Sequence, residues 1–312
     1  MNVTVLGSGM VAREFCSLLK GDFRVVSGER PEWAKDFLKA DVRKLKRLDT
    51  EFIVNTLPSG LNRRALELAL NSNADYLDFA TFSSVRPEHF DYKKEFLREG
   101  LSGIANAGLA PGMSNLLVAH ADGGGYRDIE LFMLEDGNSQ KLSWNYRDFL
   151  YTISDRPVWV ENGRMVKVGQ YSHPRAFRGR KFYAFYADEA LSLFYNLRPQ
   201  NLRVRAGGRD IEQARQIFRK KSRGKKIGFP EKGPRKGGSY RIFVKTGEKI
   251  LSAGFKRKEG NLIAGLAAGF GHLFFKYISS AEGLAFPEEL PAAVQRRIIR
   301  NAQKQPGAEI NI

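Results

Sequence analysis

The chain has 312 residues, a formal net charge of +17, 42% hydrophobic residues and one cysteine. That length exceeds most single cores and suits two domains. No apolar run reaches the roughly 18 residues of a membrane-spanning helix, and a lone cysteine excludes an internal disulfide. The excess of positive charge favours anionic partners: a phosphorylated cofactor, a polycarboxylate, nucleic acid or an acidic surface. The opening MNVTVLGSGM runs straight into a strand pattern with no basic and apolar segments ahead of it. No signal peptide and no membrane association are therefore expected, and the cysteine usage suits a reducing cytoplasm. Cys16 reads as a small buried hydrophobe, and four scattered histidines form no metal-ligand spacing.

Taken in order, the first third alternates strand and helix. VTVLG (3–7) is a β-branched run, and residues 11–21 set Val11, Phe15, Leu18 and Leu19 on one helical face before Gly21. FRVVS (23–27) is a strand, PEWAKDFLKA (31–40) a helix opened by proline, and EFIVNTLP (51–58) a strand stopped by Pro58. Residues 61–73 form an amphipathic helix, 74–81 a strand, 91–100 a helix ending in Gly100, and 103–110 a short strand. Such alternation with unbroken apolar strands predicts a parallel sheet covered on both faces. Beyond about residue 122, strands dominate at 128–137, 156–168, 180–188, 201–208 and 239–247, with a hairpin signal in Glu161-Asn162-Gly163. Two helices close the chain, a largely apolar one over 262–283 and an amphipathic one over 287–305.

The string Gly7-Ser8-Gly9-Met10-Val11-Ala12 follows the first strand and opens the first helix. The first glycine permits a tight turn, the second lets a pyrophosphate approach the backbone, and the small sixth residue seats the helix on the sheet. A helix N-terminus offers unpaired N–H groups to phosphates, so the segment reads as a dinucleotide loop. Cofactor choice depends on the end of the second strand. Ser27 stands where an acid would bind the ribose of NAD, and Arg30 is close by, which suits the 2′-phosphate of NADP. Glu29 supports NAD if the loop shifts by one residue.

These pieces resemble the saccharopine dehydrogenase-type reductases, a group that includes carboxynorspermidine and homospermidine synthases. The resemblance rests on VTVLGSGMVARE, IVNTLPSGLNRRALELAL, NADYLDFAT and NAGLAPGMSNLLVAHA, with weaker similarity in SWNYRDFLYTISDRPVWVENGRMVKV, NLRVRAGG and EGLAFPEEL. It implies an α/β fold: a Rossmann-type doubly wound parallel sheet (1–122), an inserted α+β, mostly antiparallel substrate and dimerisation domain (123–260), and C-terminal helices returning to the first domain (261–312). It implies hydride transfer between NAD(P)H and an imine, and a homodimer. Asn55, Thr56, Leu57 and Pro58 would lie along the cofactor, with Ala80 and Thr81 near the nicotinamide ribose. Gly108, Leu109, Ala110, Pro111 and Gly112 would wall the ring, with Ser114 or Asn115 starting the next helix.

Substrate contacts are expected from the second domain facing that loop: Trp144 in SWNY, and Arg205, where the family carries an arginine able to grip a carboxylate. Trp144 also reads as core and Arg205 as a solvated strand residue. No general acid or base stands out; His120 reads as a packing residue of its helix. Residues 215–238, RQIFRKKSRGKKIGFPEKGPRKGG, read as a solvated loop, or as a polyanion-binding segment of a non-catalytic dinucleotide-binding protein. The expectation is an NAD(P)-dependent oxidoreductase acting on the C–N bond of an amino-acid or polyamine-like substrate that bears a carboxylate, with no metal.

Overall fold

A computed structural model describes residues 2–79, 86–121, 125, 127–137, 155–222 and 237–312. The chain divides into two units, Met1–Met113 with Ala264–Ala302, and Ser114–Ile263 with Gln303–Ile312.

In the first unit β1 (Val3–Leu6) is buried at every position, as a β-branched strand with neighbours on both sides must be. It leads through Gly7 and Gly9 into α1 (Met10–Leu18), which buries Ala12, Phe15 and Cys16. Burial pushes the Cys16 thiol up to about 12, so it packs as a neutral apolar group. β2 (Phe23–Ser27) lies parallel to β1. The helix expected over 31–40 does not form: residues 31–35 turn, and Asp36–Lys39 is β3, an edge strand parallel to β2. The ladder groups of β2 gain partners this way, Asp36 accepts from Arg24 at 3.0 Å, and the pairing outweighs local helix propensity.

Then come β4 (Phe52–Asn55), α2 (Asn62–Ser72), β5 (Asp75–Asp78), α3 (His89–Arg98), β6 (Gly103–Ile104) and α4 (Met113–Ala121). β6 is far shorter than the expected 103–110, because the chain leaves the sheet to build the loop described below.

The second unit contains β7 (Asp128–Gly137), β8 (Val158–Glu161) and β9 (Arg164–Lys167). Asn162 and Gly163 both have positive φ (52° and 71°), the two-residue hairpin the sequence signals. β10 (Arg175–Phe177), β11 (Arg180–Ala184), α5 (Glu189–Leu197), β12 (Asn201–Gly207) and α6 (Arg209–Ser222) follow. The basic segment is therefore helical up to Ser222 rather than a loop from 215; residues 223–236 lie outside the described residues. Ile211, Ala214 and Ile217 are buried on one face of α6, and Asp210 and Glu212 favour its N-terminus. β13 (Gly238–Thr246) and β14 (Lys249–Arg257) complete a hairpin.

α7 (Leu262–Phe275) ends well before 283, where Gly283 at φ 68° turns the chain into β15 (Leu284–Ala285), parallel to β6. α8 (Ala292–Gln303) and β16 (Ala308–Asn311) end the chain.

The first sheet has seven strands in the order β15-β6-β5-β4-β1-β2-β3, all parallel. The second runs β10-β11-β12-β7-β13-β14-β16, with β8 and β9 attached beside β12; β12 and β7 are parallel and the other pairs antiparallel. Phe132, Leu134, Phe182 and Phe243 form a core on this sheet, with Phe132 and Phe177 stacked at 4.4 Å.

The core of the first unit encloses polar groups. Asn55 donates to Asn62 (2.9 Å) and to the Tyr76 hydroxyl (3.0 Å), and Tyr76 donates to Asp78 Oδ2 (3.0 Å). His89 Nε2 meets the same oxygen, while Asp78 Oδ1 accepts the Asn106 backbone N–H at 2.8 Å. Asn55, Asn62, Tyr76, Asp78, His89 and Asn106 are all buried. Burial, then the neighbouring Asp78, holds the Tyr76 phenol well above its ordinary pKa, so it stays protonated and donates. Asp78→Ala strips three donors of their acceptor. We expect it to lower unfolding free energy by about 3 kcal/mol or more, measured by urea denaturation, with Asp78→Asn losing less.

Candidate functional site

The carboxyl ends of β1 and β4 define the candidate site. Strand order reverses between them, and a parallel sheet opens a crevice at such a point. Gly7 has φ +103°, and its N–H donates to Val26 at 2.9 Å. A Cβ at Gly7 would lie 2.7 Å from Thr56 Oγ1, so both the angle and the space demand glycine. Thr56 returns a hydrogen bond from Oγ1 to the Leu6 carbonyl at 2.7 Å, fastening the two strand ends together. Gly9 caps α1 without a side chain, is exposed, and faces open space where a Cβ would stand. Ser8 is half-buried and Met10 is 47% exposed beside it. A helix N-terminus with room before its backbone is a cradle for a phosphate, and Gly7 to Val11 fit the pyrophosphate of a dinucleotide.

Past β4, Asn55 is tied into the buried polar network and also accepts the Leu57 N–H at 3.1 Å, which shapes the turn into Pro58. Past β2, the Ser27 hydroxyl donates to the Glu29 carbonyl and is buried, so Ser27 forms the turn. Glu29 and Arg30 are exposed beyond it.

The loop after β6 closes on itself. Gly108 bridges Gly112, and Met113 N–H donates to the Gly108 carbonyl at 3.0 Å. Gly112 sits at φ +131°, and a Cβ there would fall 1.9 Å from the Gly108 oxygen. The Ala110–Pro111 peptide is cis. Ala107 N–H donates to the Asp78 carbonyl at 2.7 Å, so the base of this loop hangs from the end of β5. Leu109 is buried and Ala110 half-buried. Helix α4 starts at Met113, ahead of both expected starts, Ser114 and Asn115.

Ser114 and Asn115 do not cap it. In the second unit Ser114 Oγ donates to Glu189 Oε1 (2.8 Å) and Asn115 Nδ2 to Ser192 Oγ (2.9 Å), all four residues being buried. Burial raises the Glu189 carboxyl, with its own backbone N–H and the Ser114 hydroxyl pulling the other way. Arg205 is also buried; its Nη1 lies 2.8 Å from Glu130 Oε1, the same oxygen that Arg175 meets at 2.9 Å. The Arg205 guanidinium stands 4.7 Å over the Trp159 ring, and its Nε has no hydrogen-bond partner among the described residues. Burial pulls the Arg205 pKa down, Glu130 pushes it back up, and Arg175 lowers it again. Ala80, Thr81 and Trp144 lie outside the described residues.

The Asp78–His89 pair and Glu189 are the polar features that sequence reasoning missed. The strand NADYLDFAT shows an acid at its end, but nothing in spacing says that a histidine 11 residues on returns to it. Among the described residues, no helix is long and apolar enough to cross a membrane.

No protein-family profile and no curated protein matches the sequence. Solved structures do match. Saccharopine dehydrogenase (L-Glu forming) from Saccharomyces cerevisiae aligns over 99% of this chain and 98% of its own, with a TM-score of 0.68 and 12% identity. Homospermidine synthase from Legionella pneumophila, solved in complex with NAD, aligns over 99% of this chain and 91% of its own, with a TM-score of 0.65 and 12% identity. At that identity the likeness establishes the fold, and the resemblance read from the sequence holds at that level.

Glu189 gives a test by pH. Its folded pKa is raised, so the neutral acid is favoured in the folded chain. The stability this contributes is full below the ordinary carboxyl pKa and is lost as pH rises through the raised value. Glu189→Gln keeps an acceptor for Ser114 and cannot ionise. We expect the variant to gain on the wild type progressively as pH rises above the ordinary carboxyl pKa, in chemical denaturation; a constant difference contradicts the assignment.

Proposed function

We propose that the chain is an NAD(P)-dependent oxidoreductase that moves hydride at the C–N bond of an amino-acid or polyamine-like substrate. The observation that carries this reading is the glycine turn Gly7–Gly9 feeding an uncapped helix where the strand order reverses. It is supported by a fold shared with saccharopine dehydrogenase and with homospermidine synthase, the latter solved with NAD.

Within that reading, the backbone of Ser8 to Val11 holds the pyrophosphate. Asn55 to Pro58 lie along the nucleotide, and the closed loop Gly108–Gly112 limits the nicotinamide end. The dinucleotide supplies or accepts a hydride when bound. Orientation by a stiff backbone wall is the main thing the protein adds to reduction of an iminium already protonated. Arg30, exposed just past β2, takes the 2′-phosphate and favours NADP. The pairing of Arg205 and Arg175 on a single Glu130 oxygen leaves surplus positive charge, which suits a carboxylate on the substrate.

The test is a fluorescence titration of NADPH and NADH against wild type and Arg30→Ala. The substitution is expected to weaken NADPH by roughly tenfold or more and to leave NADH nearly unchanged. Binding of neither cofactor overturns the reading. Binding with no turnover across a screen of amines with aldehydes and keto acids rejects the catalytic part. A second check is Gly9→Val, which fills the open space before α1. It should abolish binding of both cofactors while the thermal unfolding midpoint stays near that of wild type.

A further inference from the structure

The first unit has a cavity of about 470 Å³ at the amino-terminal ends of its strands, opposite the dinucleotide crevice. That size falls within the roughly 300–1,000 Å³ of small-ligand sites. Leu19, which follows the last turn of α1, and Phe52, which opens β4, both line it. The crevice uses the other ends of those two elements, Gly9 and Asn55, so α1 alone separates the sites by about 13 Å.

The floor of the cavity is apolar and closely packed. Phe275 and Ile278 are 8% and 3% exposed, and the Phe52 and Phe275 rings meet edge-on at 5.4 Å. Behind them Phe15 packs edge-on against Phe275 at 5.9 Å and against His272 at 6.3 Å. The rim is positive. Lys20 and Lys276 are exposed there, and among the described residues no acidic residue lines the cavity and neither lysine has an ion-pair partner. Half-buried His272 feels both: burial, then Lys276, then Lys20 hold its imidazole below the ordinary value. An apolar floor under uncompensated positive charge rejects a hydrated inorganic ion, which needs many donors, and rejects a cation by repulsion. It fits one anionic head on an apolar body.

We propose that this cavity is a second binding site, for an amphipathic monocarboxylate whose chain lies on Phe52, Phe275 and Ile278 and whose carboxylate sits between Lys20 and Lys276. The site is independent of the dinucleotide crevice and of any reaction there.

Decanoate, kept monomeric, is the probe, with decanol as its uncharged counterpart, both titrated by calorimetry against the full chain. Decanoate should bind at least tenfold more tightly than decanol. The double variant Lys20→Glu/Lys276→Glu should lose at least tenfold for decanoate and little for decanol. It should also unfold at the wild-type temperature, since both side chains are exposed. By NMR, decanoate should raise the pKa of His272, because a carboxylate nearby favours the imidazolium. Equal binding of decanol, or unchanged decanoate affinity in the double variant, overturns the proposal. So does attachment to phosphatidylglycerol vesicles without binding of monomeric decanoate, which would make the patch a lipid-surface contact instead.

Discussion

A single buried carboxyl group organises the carboxyl end of the first sheet. Asp78 gathers the Tyr76 hydroxyl, the His89 imidazole and the Asn106 N–H, and so joins β5, α3 and the start of the Gly108 loop. Through Tyr76 the same network reaches Asn55 and Asn62, the end of β4 and the start of α2. Buried polar groups are costly unless each finds a partner. The cost of breaking this set keeps the loops that border the crevice in one arrangement. Apolar packing around Ile53, Leu66, Phe96 and Phe286 supplies the bulk attraction, but it is not directional. The hydrogen bonds are what aim the strand ends.

Steric demand does comparable work in the loops. Gly7 and Gly112 are both forced, one by Thr56 and the other by the Gly108 carbonyl. Gly9 is different, since among the described residues nothing lies within 4 Å of the space its absent side chain leaves. Two forced glycines make the walls, and the third leaves a gap before a helix N-terminus. That contrast separates a glycine kept for folding from one that keeps a surface open.

In the second unit, side chains that read as ligands in the sequence are also structural. Arg205 braces Glu130 and Trp159, and Ser114 and Asn115 secure the start of α5 through Glu189 and Ser192. The hydrogen bonds and ion pair among them each join residues at least 75 apart in sequence, and no local pattern reports them. The same holds for β3. Its residues carry a helical spacing, yet the open edge of β2 recruits them as a strand. The basic segment misleads in the other direction, because its lysines and arginines hide the Ile211, Ala214 and Ile217 stripe that makes α6 a helix.

The sequence by itself determined the parallel α/β order of the first unit, the glycine turn after β1 and the Asn162-Gly163 hairpin. These depend on short-range periodicity and on backbone angles that only certain residues adopt. Tertiary structure alone decided that β3 is a strand, that His89 returns to Asp78, that the Gly108 loop closes on itself, and that two lysines flank an apolar cavity at the amino-terminal ends of the strands. Each of these depends on groups distant in sequence meeting in a low-dielectric interior or across a shared edge, and the energy of such meetings is not encoded in any single stretch of chain.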